Sequence, residues 1–269
     1  MRIAVVTPYY KETNEVLQRC HDSVLQQTID CDHFLVSDGF PNTLAKEWAV
    51  KHFELSDAHG HGGNTPRVIG AISAFNQGYD AVAFLDADNW FKPDHLEKMV
   101  DLHCRTDAAV CTTGRSMHRA DSSYMFDDDK NDGRTHVDTS CLFLTRSAKH
   151  VVAKWALLPP DLGGICDTIY WSSILSAGLT HAHLNTPTVC FYTSYEADYR
   201  RLGEPLPDDV KMLAATDAPF SWFKSLPIDD RWRMRSELGW PSNFRSVSAL
   251  RLSYVLSRLK SLSSLRVFR

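Results

Sequence analysis

The chain has 269 residues, 43% apolar and 23% charged, enough for one large α/β domain or two small ones with a sizeable core. A net charge of −4 gives no sign of nucleic-acid affinity, and there is no 18-residue apolar run to span a membrane. Seven cysteines without a CxxC pair indicate neither a disulfide framework nor a zinc site, and the N-terminus reads as a strand rather than a signal peptide, so the expected location is the cytoplasm.

Ile3 to Val6 is a short β-branched strand stopped by Pro8. Thr13 or Asn14 can cap a helix whose apolar face carries Val16, Leu17, Cys20, Val24 and Leu25. Phe34 to Val36 reads as a second strand and Thr43 to Phe53 as a second helix, with Leu44 and Trp48 inward. After the Gly- and His-rich stretch His59 to Asn64, Thr65-Pro66 opens a third helix with Val68, Ile69, Ile72 and Phe75 at helical spacing. Ala81 to Leu85 is a short apolar run entered from Gly78, which suits a buried central strand. This alternation predicts a doubly wound, mostly parallel sheet flanked by helices.

Beyond it, Asp94 to Cys104 predicts a helix, Ala108 to Thr112 a strand, and Met125 to Thr135 a polar loop with four aspartates. Val137 to Leu144 predicts a strand, and Ser147 to Leu157 a helix closed by Pro159-Pro160. A further helical stretch follows Gly163-Gly164 up to Gly178, and Pro187 to Tyr192 is the last strand. Trp222, Phe223, Trp232 and Trp240 sit on helical pieces expected to pack against the sheet.

The chemistry concentrates at Asp86-Ala87-Asp88, a DxD pattern at the end of the Ala81 strand. Two carboxylates there repel each other, and burying them unpaired costs several kcal/mol each. A divalent cation with oxygen ligands, Mg2+ or Mn2+, removes the conflict. Ligands of open α/β sheets bind beyond the carboxyl ends of the strands, where this pair stands. The plain alternative is an exposed loop whose aspartates cap the next helix, although Asp94 after Pro93 already serves that helix start. Asp38 before Gly39 is either a turn aspartate or an acceptor for a ligand hydroxyl or N–H, and Asp167 is either a helix cap or a functional carboxylate.

The order AVVTPYYKE, LVSDG, RVIG, FLDADNWFKPDHLEKM, DTSCLFLTRSA and CDTIYWSSILSAG, over about residues 2 to 195, resembles the family 2 glycosyltransferases of the GT-A fold. The resemblance implies an inverting, metal-dependent transferase using a UDP- or GDP-sugar and a glycan or lipid-linked acceptor, in glycan or polysaccharide biosynthesis. It implies that Pro8, Tyr9 and Glu12 line the base pocket, Asp38 bonds the base or ribose, and Arg67 lies near the nucleotide. It places Asp86 and Ala87 against the nucleotide-sugar, Asp86 also in the metal shell and Asp88 directly on the metal, Mn2+ or Mg2+, with Asp167 as catalytic base. Cys166 stands where the family often has Glu, and the third protein ligand stays open among Tyr192, Tyr195, His181 and His183. Asp161 and Asp138 are rivals to Asp167, Asp138 suiting acceptor positioning.

A retaining GT-A enzyme is the nearest alternative. A sugar nucleotidyltransferase is disfavoured because TPYYKE lacks a GxGxR loop, and a haloacid-dehalogenase-like phosphatase because Asn89-Trp90 follows Asp88. A non-catalytic sugar-nucleotide or glycan-binding module on the same fold is a third. The expected organisation is a catalytic domain over residues 1–200 and a helical extension over 201–269 packed on it. Phe244 to Arg269 has six basic and no acidic residues at near-helical apolar spacing, fitting either peripheral contact with an anionic membrane or docking on the protein's own body.

Overall fold

The structure is a computed structural model and describes residues 1–212, 218–242 and 254–256. Four parallel strands open the chain: β1 (Ile3–Tyr9), β2 (Asp32–Asp38), β3 (Lys51–Leu55) and β4 (Ala81–Phe84), in the order β3-β2-β1-β4. Helices α1 (Asn14–Leu25) and α2 (Asn64–Asn76) make two of the crossovers. Thr13 caps α1 as expected, its hydroxyl accepting from the Val16 N–H at 3.4 Å. The sheet continues through β5 (Trp90–Phe91), β6 (Val110–His118), β7 (Tyr124–Asp127), β8 (Leu142–Thr145) and β9 (His181–Tyr192). β8 runs antiparallel between β4 and β6, β9 lies parallel to β6, and β5 and β7 close the far side antiparallel to β9 and β6.

Every side chain of β4 is buried, as its unbroken apolar run requires for a strand covered on both faces. β4 lies between β1 and β8, so its end opens onto the middle of the sheet. Helix α3 (His95–Thr106) turns Leu96, Met99 and Leu102 into the core. α4 (Cys166–Ser176), α6 (Ala218–Ser225) and α7 (Ile228–Leu238) complete the covering, and a short α5 (Glu196–Leu202) follows β9. Phe223, Met234, Leu238 and Trp240 join the same buried cluster as β1 and β4, with Trp222 and Trp232 partly buried against it. The described helices after residue 200 thus share this core, α7 packing against α4 and the Arg146–Leu157 segment.

Several expected elements differ. Residues 43–53 are not a helix: a 3-10 turn, Leu44–Glu47, leads into β3. There, pairing with β2 and stacking of Phe53 on Phe34 at 5.7 Å override the local helical spacing, while Trp48 stacks on His21 at 4.5 Å. α2 buries Pro66, Arg67, Gly70, Ala71, Ala74 and Phe75 and leaves Ile72 exposed. Its contact face is the small-residue stripe, which lets the helix sit close to β1 and β2. The stretch expected as a polar loop begins as strand β7. The strand expected from Val137 starts only at Leu142, after a 3-10 turn, Thr139–Cys141, and Arg146–Leu157 is wound in 3-10 rather than α geometry. The basic segment at Phe244 to Arg269 lies outside the described residues except for 254–256, where Tyr254 stacks on Trp232 at 4.9 Å.

A Cβ on Gly70 would stand 2.6 Å from Val6 Cγ1 and 3.1 Å from Val36 Cγ2. Overpacking of this kind costs about 1–3 kcal/mol, more than the helix-propensity gain of about 1 kcal/mol for Gly to Ala. Gly70→Ala is therefore expected to lower stability by about 1 kcal/mol, read as a lower urea midpoint at unchanged slope.

Candidate functional site

Pro8, Tyr9, Glu12, Asp38, Arg67, Asp86, Ala87 and Asp88, all assigned to the donor by resemblance, line one cavity of about 450 Å3. Tyr10, Gly60, Gly62 and Gly63 complete its wall. It opens at the carboxyl ends of β1, β2 and β4 against the start of α2, where an open parallel sheet offers a crevice.

The two aspartates of the pattern have different surroundings. Asp86 Oδ1 accepts from Arg67 Nη2 at 2.5 Å. Arg67 is buried on the first turn of α2 and also donates to Gly62 O at 2.6 Å and Asn64 Oδ1 at 3.3 Å. Burial works most strongly against the Arg67 charge, but Asp86 together with other acidic neighbours, Asp138 among them, holds the guanidinium above its ordinary value. Burial likewise pushes the Asp86 carboxyl up, with Arg67 pulling against it. The Asp86 N–H donates to Ser140 Oγ at 3.1 Å, and Asn89 Nδ2 donates to the same oxygen at 3.0 Å.

The Asp88 carboxylate has no hydrogen bond or ion pair among the described residues. Burial first, and the charge of Asp86 second, push it up to about 7. Its carbonyl is held instead, accepting from Arg19 Nη2 at 2.9 Å, while the Arg19 guanidinium lies 4.2 Å over the Trp90 ring. Lys211 is a cation whose charge pulls Asp88 down. It comes from a segment where the sequence shows no motif, tied in by Lys211 N to Ser194 O at 2.8 Å and Glu196 N to Lys211 O at 3.1 Å.

Asp38 faces its own neighbourhood. It accepts from the His59 N–H, His59 Nδ1 and the Gly60 N–H, each at 2.9 Å. Burial alone would raise its carboxyl, but these bonds hold it below its ordinary value. Both oxygens thus order the glycine loop that walls the cavity. Gly63 has φ +78° and precedes α2 as its N-cap, a backbone state that glycine adopts without strain. Tyr9 is fixed by the Asn42 N–H at 2.8 Å and His52 Nε2 at 2.7 Å, and Glu12 Oε2 accepts from the Tyr10 N–H at 2.6 Å.

Asp167 does not line this cavity. It stands on the first turn of α4 and borders a second one of about 260 Å3, together with His136, Asp138 and Tyr195. Asp138 is engaged on both oxygens, by Arg115 Nη1 at 2.6 Å and the Ser140 N–H at 2.9 Å. Asp161 is exposed and lines neither cavity. The Cys166 thiol is pushed up to about 12, chiefly by burial. Of the open candidates for a third metal ligand, Tyr192 donates to Asp209 at 2.5 Å, His183 Nδ1 bonds Thr112 at 2.8 Å and His181 packs on Trp171. Tyr195 borders the second cavity, and no candidate lines the first. Among the described residues no group of three or more His, Cys, Asp or Glu could hold a metal ion.

A curled, mixed sheet with a nucleotide-sized cavity and a carboxylate pair at its switch point defines the GT-A class of fold. The model of glycosyl transferase family 2 matches residues 4–149, more than half of the chain, and the protein belongs to that family. The chain is 33% identical over 116 residues to the succinoglycan biosynthesis protein ExoW of Rhizobium meliloti (strain 1021), a match covering 40% of this chain and 35% of that one. It thus spans about a third of that curated relative. Two solved structures of S. aureus TarS 1-349 share the fold. The complex with UDP has a TM-score of 0.54 at 14% identity, covering 75% of this chain and 63% of that one. The complex with UDP-GlcNAc has a TM-score of 0.51 at 12% identity, covering 72% and 59%.

Asp88 sits at about 7 in the fold against an ordinary 3.8, so its ionised form destabilises the fold. That cost is fully present above pH 7 and fades as the pH falls toward 3.8. Asp88→Asn, measured with chelator present, should melt above the wild type near pH 8, with the difference vanishing near pH 4. Identical melting temperatures across that range would contradict an unpaired, desolvated Asp88.

Proposed function

We propose that the protein is a metal-dependent, inverting glycosyltransferase that moves a sugar from a nucleoside-diphospho-sugar to an acceptor hydroxyl, in polysaccharide or other glycan biosynthesis. The observation that carries it is the split at the end of β4: Asp86 is neutralised by Arg67, while Asp88 faces the donor cavity without a partner among the described residues. A carboxylate without a hydrogen bond or ion pair among the described residues fits a divalent ion brought with a diphosphate. The UDP and UDP-GlcNAc complexes of TarS support a nucleotide-sugar donor, and the succinoglycan assignment of ExoW supports a polysaccharide product.

Asp88 would hold Mn2+ or Mg2+, with Asp86 beside it. When bound, the ion screens the charge of the leaving diphosphate. Arg67 pairs with Asp86 and holds it in place, and Tyr9 and the glycine loop shape the pocket for base and ribose. Asp167 takes the proton of the acceptor hydroxyl from the second cavity. Burial first, then the charge of Asp167 and more weakly that of Asp88, raises the Tyr195 hydroxyl at the second cavity. A base separate from the donor carboxylates suits a single displacement, and hence inversion.

The donor is tested by thermal shift with a panel of UDP- and GDP-sugars in Mn2+ and in Mg2+. A cognate donor should raise the melting temperature only with metal, and Asp88→Ala should abolish that metal-dependent gain. Donor affinity indifferent to chelator in the wild type would sink the metal assignment. Binding without transfer or hydrolysis would favour a non-catalytic sugar-nucleotide module.

For the base, Asp167→Asn should keep donor affinity within a few fold and lose about 100- to 10,000-fold in turnover. Near-normal transfer by that variant, with Asp138→Asn inactive, would move the role to Asp138. The anomeric configuration of the product, read by NMR, decides between inversion and retention.

A further inference from the structure

The segment between β7 and β8 carries a histidine that no sequence motif marks. Asp132 accepts from the main-chain N–H groups of Arg134, Thr135 and His136 at 2.9, 2.8 and 3.2 Å. The Trp171 indole donates to Arg134 O at 3.0 Å, and Gly133, at φ +68°, lies against the His183 ring. The segment is thus fastened both internally and to α4. His136 is held at the wall of the second cavity, half-buried.

His136 Nε2 lies 3.6 Å from Asp167 Oδ2, and Nδ1 lies 3.2 Å from Thr168 Oγ1. The Thr168 hydroxyl directs its own proton to Asp167 Oδ1 at 3.4 Å, so toward His136 it offers lone pairs. In the tautomer that carries its hydrogen on Nδ1, His136 presents a bare Nε2 to the carboxylate oxygen. Two acceptors facing each other in this way are short of one proton, and deprotonation of an acceptor hydroxyl delivers one.

We infer that His136 is the relay of the transfer reaction, taking from Asp167 the proton that Asp167 removes from the acceptor hydroxyl. This rests on the reading of Asp167 as base. As the acceptor oxygen bonds to the anomeric carbon, its proton passes to Asp167, and the electrons of the breaking C–O bond leave with the diphosphate. The proton then moves from Asp167 Oδ2 to His136 Nε2, restoring the carboxylate, and the imidazolium releases it to water. Nothing is oxidised or reduced. His136 acts through Asp167 and is a positioning and relay residue.

The charges around the pair are already matched in part. Arg115 of β6 is held by Asp128 at 2.8 Å and by Asp138 at 2.6 Å. Asp198 of α5 accepts from the Thr193 hydroxyl at 2.6 Å. Lys130, Arg201 and Tyr195 are the other ionisable groups at this cavity.

The test is steady-state transfer from about pH 5 to 9 by the wild type, His136→Gln, Thr168→Val and Asp167→Asn. The wild type should lose kcat on its acid side, where protonated His136 can take no further proton. His136→Gln should lose roughly 10- to 100-fold in kcat, keep the donor KM within a few fold, and lose that acid limb. Glutamine keeps an N–H but cannot take a proton, so it would rescue a role that was only structural. Thr168→Val should shift kcat in the same direction by less. A wild-type kcat and acid limb in His136→Gln, with Asp167→Asn inactive, would overturn the relay and leave the base standing. Near-normal turnover by Asp167→Asn would overturn the base and the relay with it.

Discussion

The ion pair between Arg67 and Asp86 is the constraint on which the site depends. β4 delivers two carboxylates to one half-buried cavity, where their charges oppose each other. Arg67, buried on α2 and presented by the glycine loop, compensates one of them at 2.5 Å. Removing Asp86 would strand the buried Arg67 charge, so the pair ties α2 and the glycine loop to the end of β4. The other carboxylate has no hydrogen bond or ion pair among the described residues, and burial and the charge of Asp86 raise it against the pull of Lys211. A fold that keeps such a group gives up some stability for chemistry.

The polar groups around this pair are used mostly to hold the backbone. Asp38 captures the N–H groups of the glycine loop, Ser140 anchors the turn after β4 through Asp86 and Asn89, and Arg19 holds the Asp88 carbonyl. Arg19 also reaches Ser122 Oγ at 3.0 Å on the turn between β6 and β7. The donor-side aspartates are thereby tied to the hairpin that leads to the second cavity. Such supporting bonds restrict the carboxylates to a narrow range of geometry, which a site acting on a reactive bond requires.

The two cavities divide the chain. All the residues of the first lie between Pro8 and Asp88, within the stretch that matches glycosyl transferase family 2. The second is built from residues between Arg115 and Arg201, and Asp167 and Tyr195 fall beyond the matched stretch. Asp138, paired with Arg115 on one side and capping the Ser140 turn on the other, sits between the two.

Much of the fold and of the donor cavity was legible in the sequence because they rest on local signals. The apolar run of β4, the glycines before α2 and the DxD spacing each follow from short-range chemistry: buried strands need unbroken apolar runs, and close turns need glycine. The partner of each carboxylate was not legible. Arg67 is 19 residues from Asp86, and only the packing of α2 on β1 and β2 brings the guanidinium to that oxygen. β3 was misread as a helix because an edge strand is decided by its neighbour, and the face of α2 was misread because close packing selected small residues over larger apolar ones. His136 and Lys211 carry no motif at all. His136 approaches Asp167 from 31 residues away through a turn organised by Asp132, and Lys211 reaches the field of Asp88 from the C-terminal third. The sequence by itself determined which groups could do the chemistry; which are neutralised, which are left unpaired and which face one another was decided by long-range packing, because charge compensation acts through space rather than along the chain.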